Sequence, residues 1–314
     1  MAPLDPRALQ ADLLTSGRPV AGFGPVDVGR SATTRGVVTT RHGENVERFY
    51  SHGAEARARE ANGFLSFGYW KDETRDYDEA TENLLDLVLE QAEIDRPDLI
   101  LNVACGNGIE TERILERLQP RRIHGLDITR AHIDTCKKRA AARGLEDRMV
   151  FEHGDACQMP FAAEAFSHLV CVEGITHFDT RERFFAEAHR VLQPGGMLML
   201  SDSILHRLPP GIGDEIASRV TSRLWHVPRA NWIDIAGYRR QLEANGFRVE
   251  FVRSIGDRVF PGFASFNVRR EAIANSIRVR GLPVGLGLAF ICWLLGDLHR
   301  RGILDYVLVK AWKR

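Results

Sequence analysis

From Leu99 onward, short apolar runs alternate with amphipathic stretches. Leu99–Ala104, Arg122–Leu126, Met149–His153, Phe166–Val172 and Gly196–Ser201 read as buried strands. Between them, Ile109–Leu118, Ala131–Arg143 and Thr180–Leu192 carry apolar residues at helical spacing. Strands alternating with helices predict βαβ units, a parallel sheet and helices on both of its faces. Right-handed crossovers leave a doubly wound α/β fold as the simplest topology.

Both flanks of this region differ from it. Residues 1–43 are rich in Gly, Pro, Thr, Arg and Ser without a sustained period, which predicts a flexible arm. Helical spacing is readable over Glu44–Glu60 and again over Asp78–Ile94, where Leu84, Leu85, Val88 and Leu89 share a face and Pro97 follows. Downstream, Asp234–Asn245 reads as a helix stopped by Gly246, and Phe247–Arg253 as a strand. Residues 257–302 show two helical patterns separated by Gly281 and Pro283, and Leu304–Trp312 is β-rich.

Composition narrows the function classes. Lys plus Arg and Asp plus Glu are 42 each, so bulk charge does not favour nucleic acid as a partner. From Arg253 to the end the balance shifts to eleven basic against four acidic residues, a solvated helix face or a surface near an anionic ligand. The cysteines, five in number, are far apart and form no C-x-x-C pair, which argues against a zinc site or disulfide framework and for a cytoplasmic setting. The first twenty residues lack the apolar core of a signal peptide. Leu282–Leu295, about fourteen residues interrupted by Pro and Gly, is too short to predict a membrane span.

The chemistry-bearing signal is Asn102-Val103-Ala104-Cys105-Gly106-Asn107-Gly108, which leaves a strand and opens a helix. Glycines there let the backbone approach a ligand, and the N–H groups of a helix start hold a polar or negative group. Asp127 closes the second strand, where a carboxylate accepts the hydroxyls of a ribose. Together they indicate an adenosine-containing cofactor, NAD or S-adenosylmethionine. Thr111 stands where a dinucleotide fingerprint has its third glycine. Gly154-Asp155-Ala156 after the third strand and Pro194-Gly195-Gly196 before the fifth favour S-adenosylmethionine.

With VACGNG, GLDIT, GDACQMPF, CVEGITHF and RVLQPGGMLMLSDS in order, the chain from about Phe64 to Ser203 resembles a class I S-adenosylmethionine-dependent methyltransferase. Phe67-Gly68-Tyr69-Trp70, Glu173–His177, and Asn231-Trp232 ahead of Asn245-Gly246-Phe247 extend the resemblance to macrolide and indolocarbazole sugar O-methyltransferases of natural-product pathways. The resemblance implies a Rossmann-like seven-stranded sheet with N-terminal helices and a helical lid insertion near the C-terminus. The chain is expected to divide into an arm (1–43), a helical cover (44–98), a cofactor-binding core (99–256), a lid or interface insertion (257–303) and a last strand (304–314).

By the same resemblance, Gly106, Asn107 and Gly108 face the methionine part of the cofactor, and Asp127 the ribose. Ile128 packs on the adenine, Asp155 and Ala156 meet its edge, Glu173 sits nearby, and Tyr50 and Trp70 cover the ligand. Asn102 departs from the pattern, since an acidic residue is usual there. Methyl transfer to a hydroxyl needs a base, and His177, after the fourth strand, is the candidate. Asp202, after the fifth, matches a second acidic position, placed to orient the histidine or bind substrate. Tyr69, Trp232, Phe260 and Phe263 are candidate substrate contacts. The apolar stretch from Val259 to Asp297 reads as a wall for a greasy acceptor, or as a helix pair packing on the sheet or at a homo-oligomer interface.

The expected activity is methylation of a small, apolar natural-product hydroxyl, without metal. Alternatives are C-methylation of an isoprenoid or alkene, N-methylation, an NAD(P)-dependent oxidoreductase, and a cofactor-binding cyclase that transfers no methyl group.

Overall fold

The computed structural model describes Val28 and residues 40–51, 63–95, 97–207 and 211–314. The expected arm over 1–43 lies outside these apart from Val28 and residues 40–43, and the second half of the Glu44–Glu60 helix is also outside them.

Seven strands form one sheet in the order β3-β2-β1-β4-β5-β7-β6. They are β1 (Leu99–Val103), β2 (Arg122–Asp127), β3 (Met149–His153), β4 (Phe166–Val172), β5 (Leu192–Leu205), β6 (Phe247–Ser254) and β7 (Leu304–Lys313). The parallel reading holds from β1 to β5. It fails at the far edge: β7 runs antiparallel between β5 and β6, because a long helical excursion brings the chain back reversed.

The helices are α1 (Arg41–Ser51), α2 (Tyr77–Ala92), α3 (Ile109–Leu118), α4 (Arg130–Arg143), α5 (Arg181–Val191), α6 (Ile212–Leu224), α7 (Ile235–Ala244), α8 (Phe260–Asn267), α9 (Arg270–Arg280) and α10 (Leu282–Arg300). Local chemistry sets several ends. Asp76 caps α2 by accepting from the Glu79 N–H at 3.0 Å, and Asp234 caps α7 from the Gly237 N–H at 2.7 Å. All five residues of β1 are buried, as a central strand covered on both faces requires. One core layer joins α2, α3, α4, α8 and α10 to the sheet, with Leu84, Ile114, Ile133, Phe260 and Ile291 buried in it. The opposite layer joins α5 and α7 through Phe184, Phe185 and Tyr238.

Two departures from the sequence pattern fall near the C-terminus. The region read as two helical patterns holds three helices, because the chain turns extended at Arg269 between α8 and α9. Pro283 does not break α10: it sits in the first turn, where its missing N–H costs nothing. The apolar stretch therefore grows into a 19-residue helix, long and apolar enough by composition to cross a membrane, with 39% of its most apolar window buried. The amphipathic helix α6 falls in a stretch for which the sequence pattern predicts no element.

Candidate active site

The loops after β1, β2, β3, β4 and β5 converge at the carboxyl edge of the sheet. There the order reverses between β1 and β4, the switch point at which open α/β sheets bind ligands. A cavity of about 840 Å³ opens over this edge, roofed by α1 and walled on one side by α8, α9 and α10.

The turn after β1 forms its floor. Ala104, Gly106 and Gly108 have φ of 57°, 50° and 80°, so three of five successive residues lie in the left-handed region. At Gly108 any Cβ would also sit 2.8 Å from the Cys136 sulfur on α4, so both the turn and the helix packing demand glycine. The Asp127 carboxylate holds the turn in place: Oδ2 accepts from the Gly106 N–H at 2.9 Å, and Oδ1 from the Thr129 N–H at 2.8 Å. Asp127, Ile128, Asp155 and Ala156 line the same end of the cavity. Burial raises the Asp155 pKa, while one of its oxygens accepts from the Cys157 N–H.

Two further carboxylates, Glu173 and Glu110, line the cavity. Glu173, with φ of 65°, turns its side chain to accept from the Phe67 N–H at 2.7 Å and the Tyr306 hydroxyl at 2.8 Å. It ties the N-terminal cover to β7, and burial pushes its pKa up to about 8. Glu110 stands in the first turn of α3, where the sequence marks no site residue. Its Oε2 is buried on the cavity wall without a hydrogen-bond partner. Burial raises its pKa well above the usual range, and the charges of Glu173 and Asp127 add to the effect. An acid at a helix start reads first as a dipole-favouring residue, so the sequence alone did not separate this one out.

His177 sits in the turn after β4, buried beneath α1. Its Nε2 lies 3.0 Å from the Tyr50 hydroxyl, and the rings meet edge to face at 5.6 Å. Nδ1 is buried without a hydrogen-bond partner. Burial lowers the ring's pKa to about 4, so the imidazole is neutral at neutral pH. His42 clamps the same turn from α1, its ring 2.8 Å from the His177 carbonyl oxygen.

Asp202 does not orient His177. Its Oδ2 accepts from Arg181 Nε at 2.8 Å and from the Tyr238 hydroxyl at 3.2 Å. Arg181 is fully buried and also donates to the carbonyls of Asn231 and Ser203. The free oxygen, Oδ1, is buried, and Asp202 lines the cavity.

Of the aromatic candidates, Tyr50 and Phe263 reach the cavity, joined by Phe49, Tyr77, Phe266 and Trp225. Trp70, Tyr69, Trp232 and Phe260 are not on its wall. Trp70 packs on Phe266 and against Gly262, Phe260 is core, and Trp232 lies under the Arg229 guanidinium. The Phe67–Trp70 segment thus reaches the cavity through Phe67, while Trp70 packs on α8.

A family model described as a methyltransferase domain matches residues 100–196. Erythromycin 3''-O-methyltransferase of Saccharopolyspora erythraea is 30% identical over 261 residues, covering 80% of this chain and 83% of that protein. The 27-O-demethylrifamycin SV methyltransferase of Amycolatopsis mediterranei is 32% identical over 227 residues, covering 71% and 82%. The chain belongs to the class I S-adenosylmethionine-dependent methyltransferases.

Solved structures share the fold of this methyltransferase at lower identity. The cyclopropane synthase MmaA2 from Mycobacterium tuberculosis superposes with a TM-score of 0.75 at 18% identity, covering 87% of this chain and 99% of that one. A geranyl diphosphate C-methyltransferase from Streptomyces coelicolor A3(2) gives 0.70 at 16% identity, covering 88% and 99%.

The site fits the cofactor of the family. The left-handed turn over Ala104–Gly108 and the Asp127 carboxylate form one end of the cavity, and the unpartnered Glu110 carboxylate faces the same space. Asn102, which stands where an acid is usual, is buried and donates to Thr111 Oγ1 at 2.9 Å. It takes no part in lining the cavity.

Proposed function

We propose that this methyltransferase methylates a hydroxyl oxygen of a small, apolar natural-product molecule. One observation carries the reading: a buried, neutral histidine faces the same cavity as the glycine turn and Asp127, beside a wall of Phe49, Phe263 and Phe266. The names of two relatives, erythromycin 3''-O-methyltransferase and 27-O-demethylrifamycin SV methyltransferase, support it.

S-adenosylmethionine supplies a methyl group on a sulfonium, so the electrophile arrives activated. Asp127 would hold the ribose, Ile128 the adenine face, and Asp155 with Ala156 the adenine edge. The Gly106–Gly108 turn would cradle the methionine end. Glu110 would give the methionine ammonium its negative partner, replacing the acid that Asn102 lacks. His177 accepts the hydroxyl proton as the oxygen attacks, with Tyr50 fixing the ring in place. Asp202 Oδ1 accepts a hydrogen bond from a second polar group of the acceptor. The apolar wall keeps water from competing with the acceptor hydroxyl.

Calorimetric titration with S-adenosylhomocysteine tests the cofactor half of this reading. Micromolar binding is expected, weakened about tenfold or more by Asp127→Asn, since a charge-assisted hydrogen bond is worth about 1.5–3 kcal/mol. Equal affinity in the variant would remove Asp127 from the ribose.

A further inference from the structure

We propose that the α9–α10 hairpin is a membrane-surface anchor that dips into the interface of an anionic bilayer and brings the mouth of the cavity to it. This goes beyond methyl transfer and does not depend on the acceptor being a hydroxyl.

The distribution of exposed apolar side chains motivates it. Every exposed large hydrophobic among the described residues lies between Ile212 and Trp293. On α6 these are Ile212, Ile216, Val220 and Leu224, a stripe of spacing four, with Ile212 82% exposed. At the hairpin they are Val279, Leu282, Val284, Leu286, Phe290 and Trp293. A soluble protein rarely leaves so large a patch without a use for it.

The shape of the exposure selects the occupant. From Leu282 to Phe290, Gly285 alone is buried; Leu282, Pro283, Val284, Leu286, Gly287 and Phe290 are exposed. At 100° per residue those positions span an arc of about 200°, on the side of the helix away from the buried Gly285. Leu282, Pro283, Val284, Leu286, Gly287 and Phe290 on that arc are all apolar, and an apolar arc this broad with arginines beside it suits the interface of an anionic bilayer. The exposed half-turns span about 13 Å, less than half of the roughly 30 Å hydrocarbon thickness. That length dips and does not cross, in keeping with the depth of about 5–10 Å typical of interfacial helices. Phe290 and Trp293 stack at 5.9 Å near the far end of the exposed stretch, where an interfacial aromatic pair belongs.

Charge and rigidity agree. From Phe260 to Arg300 there are five arginines, at 269, 270, 278, 280 and 300, against Glu271 and Asp297. Basic residues beside an inserting apolar segment favour anionic lipid over neutral lipid. The hairpin is also a stiff unit. A Cβ on Gly285 would lie 2.7 Å from the Ile277 nitrogen, so the two helices pack backbone to backbone. The inner side of the same hairpin, through Ile273, Ser276, Leu288 and Ala289, lines the cavity. A greasy acceptor dissolved in the bilayer thus has a short path to the site.

The test is co-sedimentation of the full chain with vesicles of phosphatidylcholine alone and of phosphatidylcholine with phosphatidylglycerol. The full chain is expected to bind the anionic vesicles about tenfold more tightly than the neutral ones. The double variant Leu286→Ser/Phe290→Ser, changed only at exposed positions off the cavity wall, should lose at least tenfold on the anionic vesicles. Its affinity for S-adenosylhomocysteine should be unchanged, which shows that it folds. Arg270→Gln/Arg278→Gln should narrow the preference for anionic lipid. No binding to either vesicle, equal binding by the serine variant, or a dimer in sedimentation velocity that the serine variant dissolves would each overturn the proposal, the last by assigning the face to a second copy.

Discussion

If His177 is the base, the acid limb of the pH–rate profile lies far below that of an ordinary histidine. Burial beneath α1 holds its pKa at about 4, against the usual 6.5. At pH 5.5 an imidazole with the usual value is about nine-tenths protonated, while one at 4 is only about 3% protonated. The rate constant kcat/KM, which reports the free enzyme, should therefore change by less than about twofold between pH 7.5 and 5.5 through this group. The decline should begin only near pH 4.5. His177→Ala is expected to lower turnover by roughly 10²–10⁴ and to abolish that limb, with cofactor affinity unaltered. Tyr50→Phe leaves the ring in place without the hydroxyl at 3.0 Å, and should lower kcat more than it raises KM. The assay is initial-rate methyl transfer from labelled S-adenosylmethionine across pH 4–8, alongside calorimetry with S-adenosylhomocysteine. A limb centred near 6.5, or a His177→Ala enzyme at the wild-type rate, would refute the assignment.

Three further outcomes follow from the buried charges. Glu110→Gln should weaken S-adenosylhomocysteine binding about tenfold in calorimetry, while methylthioadenosine, which has no amino acid tail, binds both proteins alike; this separates the role of Glu110 from a general loosening of the turn. Arg181→Met leaves Asp202 buried without a counter-charge and two carbonyls without donors, and should cost about 3–5 kcal/mol in urea unfolding, part of which Asp202→Asn in the same chain restores. Glu173 has a raised folded pKa of about 8, so the stability it contributes is fully present below its unfolded value and is lost as pH rises through 8. Glu173→Gln should flatten the fall in melting temperature between pH 5 and 8, and an undiminished slope would place the titration elsewhere.

The core of the fold was legible because β1–β5 and their helices carry unambiguous periods, and because Gly106, Gly108 and Asp127 sit at forced positions in the turns. The antiparallel insertion of β7 was not, since strand direction depends on where a long excursion re-enters the sheet. Three helices hid in 257–302 because the extended turn at Arg269, which splits α8 from α9, carries no glycine or proline to mark it. In the site, His177 was visible from its place after β4, but its partner is Tyr50 and not Asp202. That distinction depends on Arg181, a buried residue on a helix whose pattern only says that one face is apolar. Trp70 and Tyr69 illustrate the same limit. Their segment meets the cavity through Phe67, and which rings of FGYW face inward is set by packing on α8.

The proposed reaction is transfer of a methyl group to oxygen on an apolar acceptor. The most direct measurement incubates the protein with methyl-labelled S-adenosylmethionine and a panel of hydroxylated polyketide-type molecules, each paired with its O-blocked analogue, and reads the products by mass and carbon NMR. A one-methyl gain carried on oxygen is expected, seen with the free hydroxyl and absent with the blocked one. A methyl group found on carbon or nitrogen, or equal labelling of the blocked analogue, would contradict it.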